Sequence, residues 1–140
     1  MLFPKKVKHR KWQSNRWNPR FTHTESRGIT LAYGAYGLKA ESAARITSNQ
    51  IEAARRVLSR TIGKTGRIFI RIFPDRPYTA KGAETPMGKG KGDPQGFVCE
   101  VLPGRVLFEL DGVTPEIAKE AVRKAGTKLA VRSRFITRVI

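Results

Sequence analysis

Residues 45–73 read RITSNQIEAARRVLSRTIGKTGRIFIRIF, and their apolar period changes half-way. In the first half Ile51, Ala54, Leu58 and Ile62 recur three and four apart, the spacing of one helix face. Thr47 and Gln50 stand just before that stripe as a capping-box pair, in which each side chain can satisfy the other residue's backbone amide. Gly63 or Gly66 supplies the stop. In the second half the period is two. Ile68, Ile70 and Ile72 point one way, while Arg67, Phe69, Arg71 and Phe73 point the other, as in a strand. A helix running into a strand, each with one apolar face, predicts helices packed on a sheet.

Toward the N-terminus, ITLAYGAYGLKA (29–40) mixes β-branched and aromatic residues with two glycines. Ile29, Leu31, Tyr33 and Ala35 alternate, so a strand is expected, with Gly34 and Gly37 marking a bulge or a close backbone approach. The first 24 residues contain no acid. Lys5, Lys6, Lys8, Arg10, Lys11, Arg16 and Arg20 are interleaved with Trp12, Trp17 and Phe21, without periodicity. This reads as an irregular basic arm that orders on a partner, the alternative being a solvated tail.

Toward the C-terminus, residues 74–96 form a long loop rich in Pro, Gly and charge, the kind that is usually functional or disordered. FVCEVL (97–102) and RVLFEL (105–110) read as a hairpin across Pro103-Gly104. Thr114, Pro115 and Glu116 open a second helix. Its apolar face is Ile117, Ala118, Ala121, Val122, Ala125 and Leu129, and its mixed charges suggest that most of it is solvated. VRSRFITRVI (131–140) closes as a strand, with Val131, Phe135 and Val139 inward and Arg132, Arg134 and Arg138 outward. The expectation is an α+β fold: a two-layer α/β sandwich of mostly antiparallel sheet on two helices. It forms one domain over 1–140, with a basic arm (1–28) and a body (29–140) from which loop 74–96 projects.

Charge narrows the partner. The 140 residues hold 28 Lys and Arg against 11 acids, a net charge of +17. Self-repulsion of that size calls for a polyanion. No apolar run approaches the ~18 residues that span a bilayer. The opening MLFPKKVKHRK has no apolar segment after its charges, so no signal peptide is expected. Cys99 is the only cysteine, which excludes an internal disulfide and suits a reducing compartment. On the first helix Glu52 is the only acid beside Arg55, Arg56 and Arg60, which favours a phosphate-facing role over a merely solvated face. The Phe and Arg of 67–73 could stack RNA bases, or could lie under neighbouring structure with the arginine heads at the rim.

No catalytic constellation is legible. His9 and His23 sit in or beside the arm, Cys99 lies in an expected strand, and their spacing matches no metal motif. Neither GKTGR nor MGKGKGDP fits a nucleotide-binding P-loop, because the second lacks the hydroxyl and precedes a strand. MGKGKG (87–92) suits a backbone that must approach phosphates, since glycine removes bulk and lysine adds charge.

Several stretches resemble a known family in order: the opening MLFPKKVKHRK, then GLKA (37–40), QIEAARR (50–56), IRIFPDRP (70–77), MGKGKG (87–92) and PGRVLFELDGV (103–113). Nearly end to end, the chain resembles the bacterial large-subunit ribosomal protein L-sixteen family. The resemblance implies a non-enzymatic structural protein of the large subunit, in the cytoplasm or an organelle, with no cofactor, metal, membrane or small-molecule substrate. Its implied partners are large-subunit rRNA, A-site tRNA with the P site as a further contact, and neighbouring ribosomal proteins. Such a protein orders the region near the peptidyl transferase centre and the central protuberance. The rRNA side is expected to involve Lys5, Lys6, Lys8, Arg10, Lys11, Trp12, Arg16, Trp17, Arg20, Arg45, Arg55, Arg56, Arg60, Arg132, Arg134 and Arg138. The tRNA-proximal loop is expected to present Lys81, Met87, Gly88, Lys89, Gly90, Lys91 and Gly92. Two departures stand out. Pro86 occupies a position where many members carry a modifiable Arg, and residues 12–27, with two Trp, differ from the usual arm. A free-standing nucleic-acid-binding module and a nucleotide-using enzyme are the competing classes.

Overall fold

The computed structural model describes residues 1–13 and 23–139. In chain order its elements are β1 (Tyr36–Ala40), β2 (Ala44–Thr47), α1 (Ser48–Ile62), β3 (Arg67–Ile70), β4 (Arg76–Ala80), β5 (Asp93–Val101), β6 (Val106–Asp111), α2 (Pro115–Gly126) and β7 (Ser133–Thr137). The fold is α+β, and all strand pairs are antiparallel.

Helix α1 forms as its sequence dictates. Gln50 N–H donates to Thr47 Oγ1 at 3.3 Å, and Thr47 N–H donates to Gln50 Oε1 at 3.1 Å. Ile51, Ala54, Leu58 and Ile62 are buried, and Gly63 caps the end at φ 70°. Helix α2 starts at Thr114, whose hydroxyl makes no capping bond. Ala118, Ala121, Val122 and Ala125 are buried, small enough for α2 to lie close on α1. Ile117, expected on this face, is exposed, because it falls one position before the buried stripe.

The strands divide into two sheets. One has the order β3-β6-β1-β7, the other β2-β5-β4. The expected hairpin of 97–102 with 105–110 does not form: β5 pairs with β2 and β4, and β6 with β1 and β3. The reason lies in burial. Every residue from Val106 to Leu110 is buried, so β6 needs a neighbour on both edges and cover on both faces. The Pro103-Gly104 turn therefore carries the chain from one sheet into the other. Gly104 N–H donates to Ala40 O at 2.7 Å and Ala40 N–H to Arg105 O at 2.8 Å, which ties that turn to the end of β1.

Cross-strand partners share a face. In the larger sheet Ile70, Phe108, Leu38 and Phe135 make one row. Leu38, Phe108 and the α1 and α2 stripes belong to one core. Phe69, Glu109, Gly37 and Ile136 make the adjoining row on the opposite face. Residues 29–35, expected as strand, cross that face as a strap. Glu109, fully buried, accepts from Ala32 N–H at 2.6 Å and Tyr33 N–H at 3.0 Å. Lys39, Arg71 and Arg138 donate to the carbonyls of Ile29, Thr30 and Leu31 at 3.3–3.4 Å. Side chains thus satisfy the backbone groups that a strand would pair in a ladder. Tyr33 stacks on Phe69 with ring centroids 5.5 Å apart. Gly37 leaves the space that Leu31 fills, and any Cβ there would collide with that side chain. Of the two readings for 67–73, this packing bears out the covered one for Phe69. Arg71, expected at the rim, is only 19% exposed and pairs with the buried Glu109, and Phe73, expected under cover, is 44% exposed.

Two boundaries also move. Residues 76–80 and 93–96, expected inside the loop, are paired strand, so the irregular connection is 81–92. Val139, expected inward, is 93% exposed, because β7 ends at Thr137. Cys99 is buried, and burial pushes its thiol pKa up, which suits an inert core residue. The outer edges are β3 and β7 in one sheet, β2 and β4 in the other.

Candidate nucleic-acid interface

Loop 81–92 is set by its backbone. Gly88, Lys89 and Gly90 all have positive φ, at 99°, 59° and 109°. Glycine tolerates that region, and a run of left-handed residues is accessible only to such a sequence. Lys81 Nζ closes the loop by donating to Gly88 O. Residues 82–91 are all exposed, and Met87 is 95% exposed.

The arm meets this loop at Lys11 and Trp12. Lys11 Nζ donates to Lys91 O at 3.3 Å, and Lys91 Nζ donates back to Trp12 O. Two segments some 80 residues apart are therefore cross-tied by their lysines. Lys5, Lys6, Lys8 and Arg10 continue from that point and are exposed. Arg16, Trp17 and Arg20 lie outside the described residues.

A second anchor was not legible in the sequence. Arg45, Arg76, Tyr78, Val98 and Glu100 share the face of the β2-β5-β4 sheet that points away from Ile46, Cys99 and Val101. Arg76 is 6% exposed. It pairs with Glu100 at 2.9 Å and donates to Gln13 O at 2.7 Å. Its guanidinium lies 5.7 Å from the Trp12 ring centroid. Glu100 also pairs with Arg45 at 3.4 Å. Arg76 sits in an expected loop, so its sequence gave no sign that it would be buried under the arm.

On α1, Glu52 divides the basic face. Arg55 grips it with two hydrogen bonds, at 2.9 and 2.5 Å, and Arg56 reaches it at 3.3 Å. The Arg55 bonds are the main cause that holds the Glu52 carboxyl down from 4.5 to about 2; burial opposes them, and the charges of Arg55 and Arg56 reinforce them. A depressed carboxylate stabilises the fold above its unfolded pKa and loses that effect as pH falls through its folded one. Glu52→Gln is therefore expected to flatten the decline of the urea midpoint between pH 4.5 and about 2. An unchanged decline would show that the arginine pair contributes nothing to acid stability.

Arg60 is exposed and borders a groove of about 620 Å³ between α1 and α2, with Lys124 and Lys128 opposite. Arg132 and Arg134 are exposed on the β7 side, Arg134 with Glu41 at 3.7 Å. Arg138 is engaged by the strap. The expected rRNA residues that are described thus fall in four places: the arm, β2 with Arg45, the α1 face, and β7 with its flanks. Among the described residues no group of His, Cys, Asp and Glu could hold a metal ion, and no helix is long and apolar enough to cross a membrane.

A family described as Ribosomal protein L16p/L10e matches residues 4–136. The chain belongs to that family. It is accordingly an RNA-binding structural component of the ribosome that serves translation, and it is not an enzyme. Among characterised relatives, the large ribosomal subunit protein uL16 of Gloeobacter violaceus (strain ATCC 29082 / PCC 7421) is 51% identical over 138 residues. That similarity covers 99% of this chain and 90% of the relative. The L16p/L10e match includes the arm from Pro4, the loop and β7, so every basic region described above lies inside it or at its border.

Proposed function

We propose that this chain is a constituent of the large ribosomal subunit that binds its rRNA and sets loop 81–92 beside the A-site tRNA, with P-site tRNA a second contact. In this reading the chain is one domain over 1–140, its arm 1–28 carried on a body of 29–140. The name of the 51%-identical relative supports the subunit. The observation that carries the RNA reading is the cross-tie of Lys11 and Lys91, which joins arm and loop into one basic surface. Lysines there neutralise phosphates without demanding one geometry, and the glycine backbone lets the loop enter a narrow space between RNA strands. The protein orders the region near the peptidyl transferase centre and the central protuberance, and the chemistry of peptide transfer belongs to RNA.

Sedimentation of a lysate through a high-salt sucrose gradient tests the first part. Stoichiometric retention on the large subunit is expected. Release to the top, with the other large-subunit proteins retained, would instead indicate a free-standing nucleic-acid-binding module. The loop is tested separately. Replacing residues 87–91 with serines should leave retention unchanged and weaken A-site tRNA binding about tenfold, the effect of losing roughly two phosphate contacts at physiological salt. Unchanged tRNA affinity in filter binding would remove the loop from the tRNA site.

A further inference from the structure

We infer that Trp12 is a stacking platform for one unpaired RNA base, whose flanking phosphate is taken by Lys11 and Lys91. The inference rests on the RNA-binding reading and adds to it a specific site and ligand.

Trp12 is an unusual residue to find on this surface. The residue is 40% exposed, yet its ring is not loose. Arg76 lies against the ring at 5.7 Å. Arg76 is in turn held by Glu100 and by Gln13 O, so the cation beneath the indole is fixed. Lys91 holds the Trp12 carbonyl, fixing the backbone as well. A ring held in place gives a base less conformational entropy to remove on binding. The two lysines that meet at Trp12 carry charge to the edge of the platform, where a nucleotide stacked on the ring places its phosphates. Tyr78 lies two residues beyond Arg76 on the same sheet face, 39% exposed, and offers a second ring for a neighbouring base. Double-stranded RNA buries its bases, so a stacking ring selects single-stranded or bulged RNA.

Base–aromatic stacking contributes about 1–3 kcal/mol per base. The chain has two Trp, so Trp17→Phe leaves Trp12 as the sole indole. Emission of that protein is followed while it is titrated with fluorescein-labelled oligoadenylate or with an abasic oligonucleotide of equal length, and binding is read in parallel by anisotropy. Oligoadenylate is expected to quench Trp12, and the abasic strand to bind without quenching. Trp12→Ala is expected to weaken oligoadenylate about tenfold and the abasic strand hardly at all, while Trp12→Phe retains most of the affinity. Binding of both strands with no quenching, or equal weakening of both by Trp12→Ala, overturns the platform and leaves the RNA-binding reading intact. Failure of either strand to bind overturns that reading too.

Discussion

Glu109→Gln is expected to lower the stability of this protein by about 3–5 kcal/mol, the usual cost of breaking a buried charge pair. The carboxylate is fully buried and each oxygen has a job. One accepts from Ala32 N–H and lies 3.3 Å from Arg71, and the other accepts from Tyr33 N–H. Glutamine keeps the shape but turns one acceptor into a donor. That donor would face a backbone N–H, and Arg71, whose side chain is only 19% exposed, would lose its counter-charge. Domains of this size are stable by about 5–15 kcal/mol, so the loss is a large fraction of the whole. Urea unfolding at neutral pH is the measurement, with Glu41→Gln as the comparison. Glu41 and its partner Arg134 are 47% and 65% exposed, and pairs of that kind contribute less than about 1 kcal/mol. Equal midpoints for the two variants would mean that the strap over the sheet is not held by Glu109.

The second large effect concerns binding. Replacing Lys5, Lys6, Lys8 and Lys11 together by alanine should flatten the salt dependence of large-subunit rRNA binding by about 3 log units per log unit of salt. Each phosphate contact contributes about 0.7–0.9. At physiological salt that corresponds to an affinity lower by roughly two orders of magnitude. An equal loss of charge from Lys64, Arg67, Lys119 and Arg123, all exposed and away from the arm and loop, is the control. Contact at a defined surface predicts different slopes for the two sets. Identical slopes would mean that net charge alone drives association and that no surface is preferred.

These expectations differ in how they were reached. The α1 cap and stripe, the α2 start and the basic loop depend on neighbours within a turn or two, so their sequence carries them. Thr47, Gln50, Ile51 and Leu58 needed no distant partner to be read. The strap depends on Glu109, some 77 residues away, and so its alternating residues looked like strand. The separation of β5 from β6 is not legible, because two adjacent apolar runs do not reveal that β6 is covered on both faces. At the site, the lysines were legible from charge. The Arg76–Glu100 anchor was not, because an arginine in a Pro-rich stretch looks solvated until the arm lies on top of it.

The four edge strands are four or five residues long, and three of them bear an exposed arginine: Arg67 on β3, Arg134 on β7 and Arg45 on β2, while Arg76 on β4 is buried under the arm. Short, cationic edges resist pairing with another copy. A freshly made chain that has not yet met its ribosome therefore carries its own guard against edge-to-edge aggregation. Joining two such edges would bring like charges together in the crowded pool of unassembled protein, and the net charge of +17 keeps copies of the free chain apart as well.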